Sequence, residues 1–110
     1  MRRKRKMKRK NQTKYFQDAL LDNLSEISDM LIRKQLDYGP NAINRFGIEG
    51  IVIRMSDKIE RLINLIELKK DPEVEESIED TLSDLAGYAV IGLMYLEGDY
   101  PLPIKQKEEI

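Results

Sequence analysis

Residues 71–97 read DPEVEESIEDTLSDLAGYAVIGLMYLE, and the fold turns on how this stretch is read. Asp71 suits a helix N-cap, Pro72 the first turn, and Glu73, Glu75 and Glu76 the positive end of the helix dipole. Ile78, Leu82, Leu85, Ala89, Leu93 and Leu96 then recur at steps of three and four, which is the apolar stripe of one long helix. Gly98, Pro101 and Pro103 end it. The segment LAGYAVIGLMYL, residues 85–96, is apolar around its whole circumference, the pattern of a helix covered on all sides. It falls short of the roughly 18 apolar residues of a membrane span.

Upstream, Val52, Met55, Ile59, Leu62 and Ile66 form a heptad-like seam, predicting a second helix from about Ile48 to Lys70. Lys69 and Lys70 favour its negative end, and Asp71-Pro72 breaks it. Further upstream, Phe16, Leu20, Leu24, Ile27 and Leu31 mark one face of a first helix. Its expected start is the polar triplet Asn11, Gln12 and Thr13, and its stop is Asp37-Tyr38-Gly39-Pro40. Residues 38–49 read as a connecting loop with a short turn of helix. No segment reads as a strand and no internal repeat is found. The expectation is an all-α fold of three principal long helices over residues 12–97, with a disordered basic tail at 1–11 and a C-terminal arm at 98–110.

The chain has 110 residues, enough for one small domain, with 41% apolar and 35% charged residues. That composition folds, but the core is thin, and self-association would help it. There is no Cys and no His, which excludes a disulfide scaffold, thiol catalysis, a zinc ribbon, haem ligation and His-based triads. With no Trp, five Tyr and two Phe, a broad base-stacking platform is not expected. The net charge of −1 hides an asymmetry: residues 1–10, MRRKRKMKRK, carry eight basic residues and no acid. The rest carries 11 basic and 20 acidic residues, a net of −9. The tail has no apolar stretch behind it, so it does not read as a secretory signal. The expected location is the cytoplasm, with no membrane partner.

Three patches carry chemistry. Glu76, Asp80 and Asp84 fall on one stripe of the third helix at i, i+4, i+8, where like charges repel unless a cation offsets them. Mg²⁺ suits such oxygens and keeps waters for phosphate. The ordinary reading is a wet face, but the stripe runs on into Tyr88, Ile91 and Tyr95, a surface that expects burial. Arg54, Lys58 and Arg61 share a stripe of the second helix, with Asp57 beside them. They are either a solvated face or clamps for phosphate oxygens. The third patch is the turn Lys34, Asp37, Tyr38, Gly39. There Tyr38 could stack on a base and Asp37 accept from a sugar hydroxyl, or the Tyr simply packs at a helix end. Gly87 and Gly92 each cost the helix roughly 1 kcal/mol, which close helix approach would explain.

The segments KQLDYG at 34–39, RMSDKIERL at 54–62 and ESIEDTLSDLAGY at 76–88 resemble a phage-encoded family described as a nucleotide-modification-associated domain. That family looks related to the all-α nucleoside triphosphate pyrophosphohydrolases of the MazG and dimeric dUTPase type. The resemblance implies a helical protomer that assembles into dimers or tetramers. It also implies Mg²⁺ (Mn²⁺ as a substitute) and a nucleoside triphosphate cleaved to the monophosphate and pyrophosphate. Glu76 and Asp80, with Asp57 or Asp84, would hold the metal. Lys34, Asp37, Tyr38, Arg54, Lys58 and Arg61 would bind the substrate, with Lys58 also neutralising the leaving group. Glu79 or Asp84 would orient or deprotonate the water.

The sequence departs from the superfamily pattern of E-x-x-E on one helix and E-x-x-D on a later one. Arg54 stands where the first acid of the first pair would be, and Asp57 where the second would be. The second pair becomes Glu76 and Asp80, spaced four apart, with Asp84 a turn further on. Two other readings stay open: a nucleotide-binding or sequestering module without turnover, which Arg54 favours, and a nucleic-acid-binding structural protein working through the basic tail.

Overall fold

A computed structural model describes residues 13–68 and 72–106. The fold is all-α: α1 spans Phe16–Tyr38, α2 Asn41–Leu68 and α3 Pro72–Glu97. Among the described residues there is no strand. The first helix begins later than the polar triplet suggested. Tyr15 occupies the N-cap in extended conformation without a side-chain cap, and its carbonyl accepts from the Ala19 amide at 3.1 Å. The start thus follows the apolar period, which opens at Phe16. Asn11, Gln12 and the basic tail lie outside the described residues. At the other end, the Gly39 amide donates to the Gln35 carbonyl at 2.9 Å, stopping α1 where Gly39-Pro40 predicted.

Residues 41–68 form one helix interrupted at Gly47, whose φ of 65° and ψ of −152° are not helical. The stretch before it is the short helical turn expected within the connecting loop. Only glycine adopts this backbone without strain, and a side chain there would also meet the Tyr95 hydroxyl at 2.9 Å. The kink therefore aims the main part of α2 along α3.

The two long helices run antiparallel. Gly47 lies by Tyr95, Ile51 by Gly92, Lys58 by Asp84 and Arg61 by Thr81. Most of the packing in the chain is between them, and α1 packs on α3. Crossing of α1 over α3 is close at Gly87, where an added Cβ would lie 2.9 Å from Leu31 Cδ2 and 3.2 Å from Met30 Cε. Close approach therefore explains Gly87. At Gly92 the nearest atoms would be at ordinary contact, 3.5 and 3.7 Å, so that glycine is merely tolerated.

The expected apolar seams are covered only in part: Met55 and Leu62 on α2 and Ile78 and Leu85 on α3 are half-buried. The side chains almost wholly buried are Ile51 and Thr81, each 2% exposed. By contrast Leu82, Leu93 and Leu96 on α3, and Val52, Ile59 and Ile66 on α2, are exposed, Leu96 reaching 68%. On each helix these positions lie about 100° around the axis from the contact positions. Because the helices are antiparallel, both rotations lead to the same side of the hairpin. Opposite that bare apolar side sits α1, against Gly87 and Asp84. The N-terminal half of α1 also leaves Phe16, Leu20 and Leu24 exposed. No helix among the described residues is long and apolar enough to cross a membrane.

Candidate functional site

The centre of the site is Asp84, on the stripe of α3 that turns from solvent toward the α1–α2 side. Lys58 of α2 donates to Asp84 Oδ2 at 3.0 Å, and Lys34 of α1 donates to Oδ1 at 3.2 Å. One carboxylate thus ties all three helices together. Burial by itself would raise the Asp84 pKa, but the hydrogen bonds from Lys58 and Lys34, with their charges, outweigh it and hold it below the ordinary carboxylate value. One turn earlier, buried Thr81 donates to the Ser77 carbonyl at 2.6 Å and accepts from Arg61 Nε at 3.2 Å. The hydroxyl is therefore satisfied inside the hairpin, and Arg61, though exposed, is tied to α3 through it.

Beside Asp84 lies a cleft of about 420 Å³. Lys34, Arg54 and Asp84 line its polar part, and Tyr38, Tyr88 and Tyr100 contribute rings. Arg54 makes no ion pair or hydrogen bond among the described residues. Each lysine has three N–H donors and directs one at Asp84, leaving donors for another anion. Three cations against one carboxylate make this a region of positive charge on a body that is otherwise acidic.

The expected site residues divide into two groups. Lys34, Tyr38, Arg54 and Asp84 meet in the cleft, and Lys58 reaches it through Asp84. Arg61 faces α3 at Thr81 instead, and Asp37 is exposed and does not line this cleft. The proposed metal ligands do not converge. Asp57, Glu76 and Asp80 are all exposed, and no group of three carboxylates among the described residues is placed to hold a metal ion. Asp80 and Asp84 do line a second cleft between α1 and α3, together with Glu26 and Asp29. Glu79 is exposed on α3 and lines neither cleft. Among the described residues Asp84 is the one acid lining the cationic cleft, and it already serves two lysines.

The model of the nucleotide modification associated domain 1 family matches residues 34–96. The chain belongs to that family. The match begins at Lys34 and ends at Leu96, so it takes in Lys34, Lys58 and Asp84, and with them the lysine–aspartate tie across the three helices. No curated protein and no solved structure matches the chain. Two members of the cleft escaped the sequence reading. Gln35 was hidden among ordinary helix-surface residues. Tyr100 lies outside the family match, in an arm without periodicity, and its hydroxyl donates to Gln35 Oε1 at 3.0 Å. An unexplained aromatic between helix end and Pro101 was the one available signal.

Proposed function

We propose that this member of the nucleotide modification associated domain 1 family binds a nucleotide in the cleft beside Asp84. Its phosphates would lie against Lys34, Arg54 and Lys58. The observation that carries the reading is the juxtaposition of Lys34, Arg54 and aromatic rings in one cleft, with Lys58 held beside it on Asp84. Guanidinium gives the planar, bidentate fit to phosphate oxygens, and the lysines act as point charges. Asp84 keeps the two ammonium groups in place and limits their mutual repulsion before a ligand arrives. Titration with each deoxynucleoside triphosphate, followed by calorimetry, tests this. Saturable binding that weakens as salt rises is expected, and no heat from any of the four contradicts it.

Turnover to the monophosphate and pyrophosphate is the finer reading. The observation in its favour is the second cleft, where Asp80 and Asp84 stand with Glu26 and Asp29 directly beside the cationic one. Arg54, standing where the superfamily pattern has an acid, favours binding alone. Pyrophosphate release with and without Mg²⁺ separates the two, and Asp80→Asn should abolish any turnover while leaving helicity intact.

We also infer that the protein self-associates through the bare side of the α2–α3 hairpin. Val52, Ile59, Ile63, Ile66, Leu82, Leu93 and Leu96 are all exposed, and large apolar side chains gathered on one side mark a surface for association. Mass measurement in solution by light scattering reads the assembly directly.

A further inference from the structure

We propose that Tyr100 and Gln35 form the end of the cleft that receives the nucleobase, so that the C-terminal arm sets base recognition. The inference rests on the nucleotide reading of the cleft. Beyond α3 the chain turns at Gly98, with the Asp99 amide donating to the Met94 carbonyl at 2.9 Å. This turn carries Tyr100 back onto α1. The Tyr100 hydroxyl donates to Gln35 Oε1 at 3.0 Å, joining residues 65 positions apart. Tyr100 and Gln35 both line the cationic cleft, and both also line an apolar cavity of about 410 Å³ on their other side. Leu102, Pro103 and Ile104 continue along that cavity, so the arm lies against the α1–α3 groove rather than leaving it.

The chemistry of this wall suits a base and not a phosphate. It has no charged side chain of its own. An aromatic ring offers a stacking face that any base can use. The Gln35 amide, with its oxygen engaged by the Tyr100 proton, presents N–H donors to the keto oxygens and ring nitrogens on a base edge. The cations sit elsewhere in the same cleft, on Lys34 and Arg54. A ligand with an anionic end and a planar polar end matches both. The family match stops at Leu96, so recognition placed on Tyr100 would vary between members while the phosphate end stays common.

The test compares the full chain with Tyr100→Ala and Tyr100→Phe, using the four deoxynucleoside triphosphates and inorganic tripolyphosphate as probes in calorimetry. Tyr100→Ala should weaken at least one nucleotide about tenfold or more and leave tripolyphosphate unchanged. Tyr100→Phe keeps the ring and loses the tie to Gln35. It should bind nucleotides more tightly than the Ala variant and discriminate less between bases than the native chain. Helical circular dichroism checks that both variants fold. Equal loss for nucleotides and tripolyphosphate, or no loss for any nucleotide, overturns the assignment while leaving the cleft reading intact. A native chain that binds no probe overturns the cleft reading itself, and this inference with it.

Discussion

The two sides of the α2–α3 hairpin carry opposite chemistry on the same pair of helices. One side holds Arg54, Lys58, Arg61 and Asp84, is covered in part by α1, and opens into the cationic cleft. The other holds Val52, Ile59, Ile66, Leu82, Leu93 and Leu96, all exposed among the described residues. Between the two, the contact itself is narrow, with Ile51 and Thr81 as its almost fully buried side chains. A helix normally buries its most apolar stripe first. Here that stripe is covered only in part and a mixed one is turned inward. The polar side is thus organised by contacts among the described residues, whereas the apolar side has no partner among them, which is the ground for the self-association proposed above.

The largest effect should come from breaking the apolar side. Ile59→Glu combined with Leu93→Glu should convert the assembly to monomers in light scattering and cost at least about 3 kcal/mol of stability, because charges would be left in a closed interface. If the side faces water, the pair should stay within about 1 kcal/mol of the native chain, as surface changes do. On the cleft side, Arg54→Ala should weaken triphosphate binding by about 1.5–3 kcal/mol and leave the mass in solution unaltered. An equal loss of assembly would mean that the two sides are not independent.

Between them, the glycines of α3 sharpen the contrast. Gly87→Ala should destabilise the fold by about 1–3 kcal/mol in urea titration, since its Cβ would press on Leu31 and Met30 at the α1 crossing. Gly92→Ala meets only ordinary contacts and should be neutral or stabilising by up to about 1 kcal/mol.

The smallest effect is electrostatic. The folded pKa of Asp84 is depressed, so its contribution is fully present above the unfolded value of about 3.9 and is lost as pH falls through the lower folded value. Asp84→Asn should therefore cost about 1–2 kcal/mol near neutrality. The gap to the native chain should close only below about pH 4. A gap that stays constant down to pH 2 would contradict the ion-pair account.

How far the sequence could be read depends on what each feature needed. The helices were legible because their ends carry local chemistry, as at Gly39-Pro40 and Gly98; Lys69, Lys70 and Asp71, read as the junction of α2 and α3, lie outside the described residues. The charged stripes of α2 and α3 were legible, but the pairing of Lys58 with Asp84 comes only from how the two helices pack. The apolar seams misled in part, since Leu82, Leu93 and Val52 look alike whether they pack within the chain or beyond it. Thr81 was missed for the converse reason: a hydroxyl inside the hairpin is tolerated only because Ser77 and Arg61 satisfy it, and no period in the sequence announces such a pairing. Asp57 and Glu76 do not join Asp80; the acids that line a cleft with Asp80 and Asp84 are Glu26 and Asp29 of α1, a helix whose place against α3 no local pattern announces. Residue 54 on α2 contributes a guanidinium instead. Tyr100 reached the cleft through tertiary folding of the arm, which local pattern does not encode.

The most direct measurement is a crystal structure of the protein with Mg²⁺ and a non-hydrolysable nucleoside triphosphate analogue. The account predicts the triphosphate against Lys34, Arg54 and Lys58, and the base toward Gln35 and Tyr100. An analogue bound on another surface, with the cleft beside Asp84 left empty at saturating concentration, would contradict it.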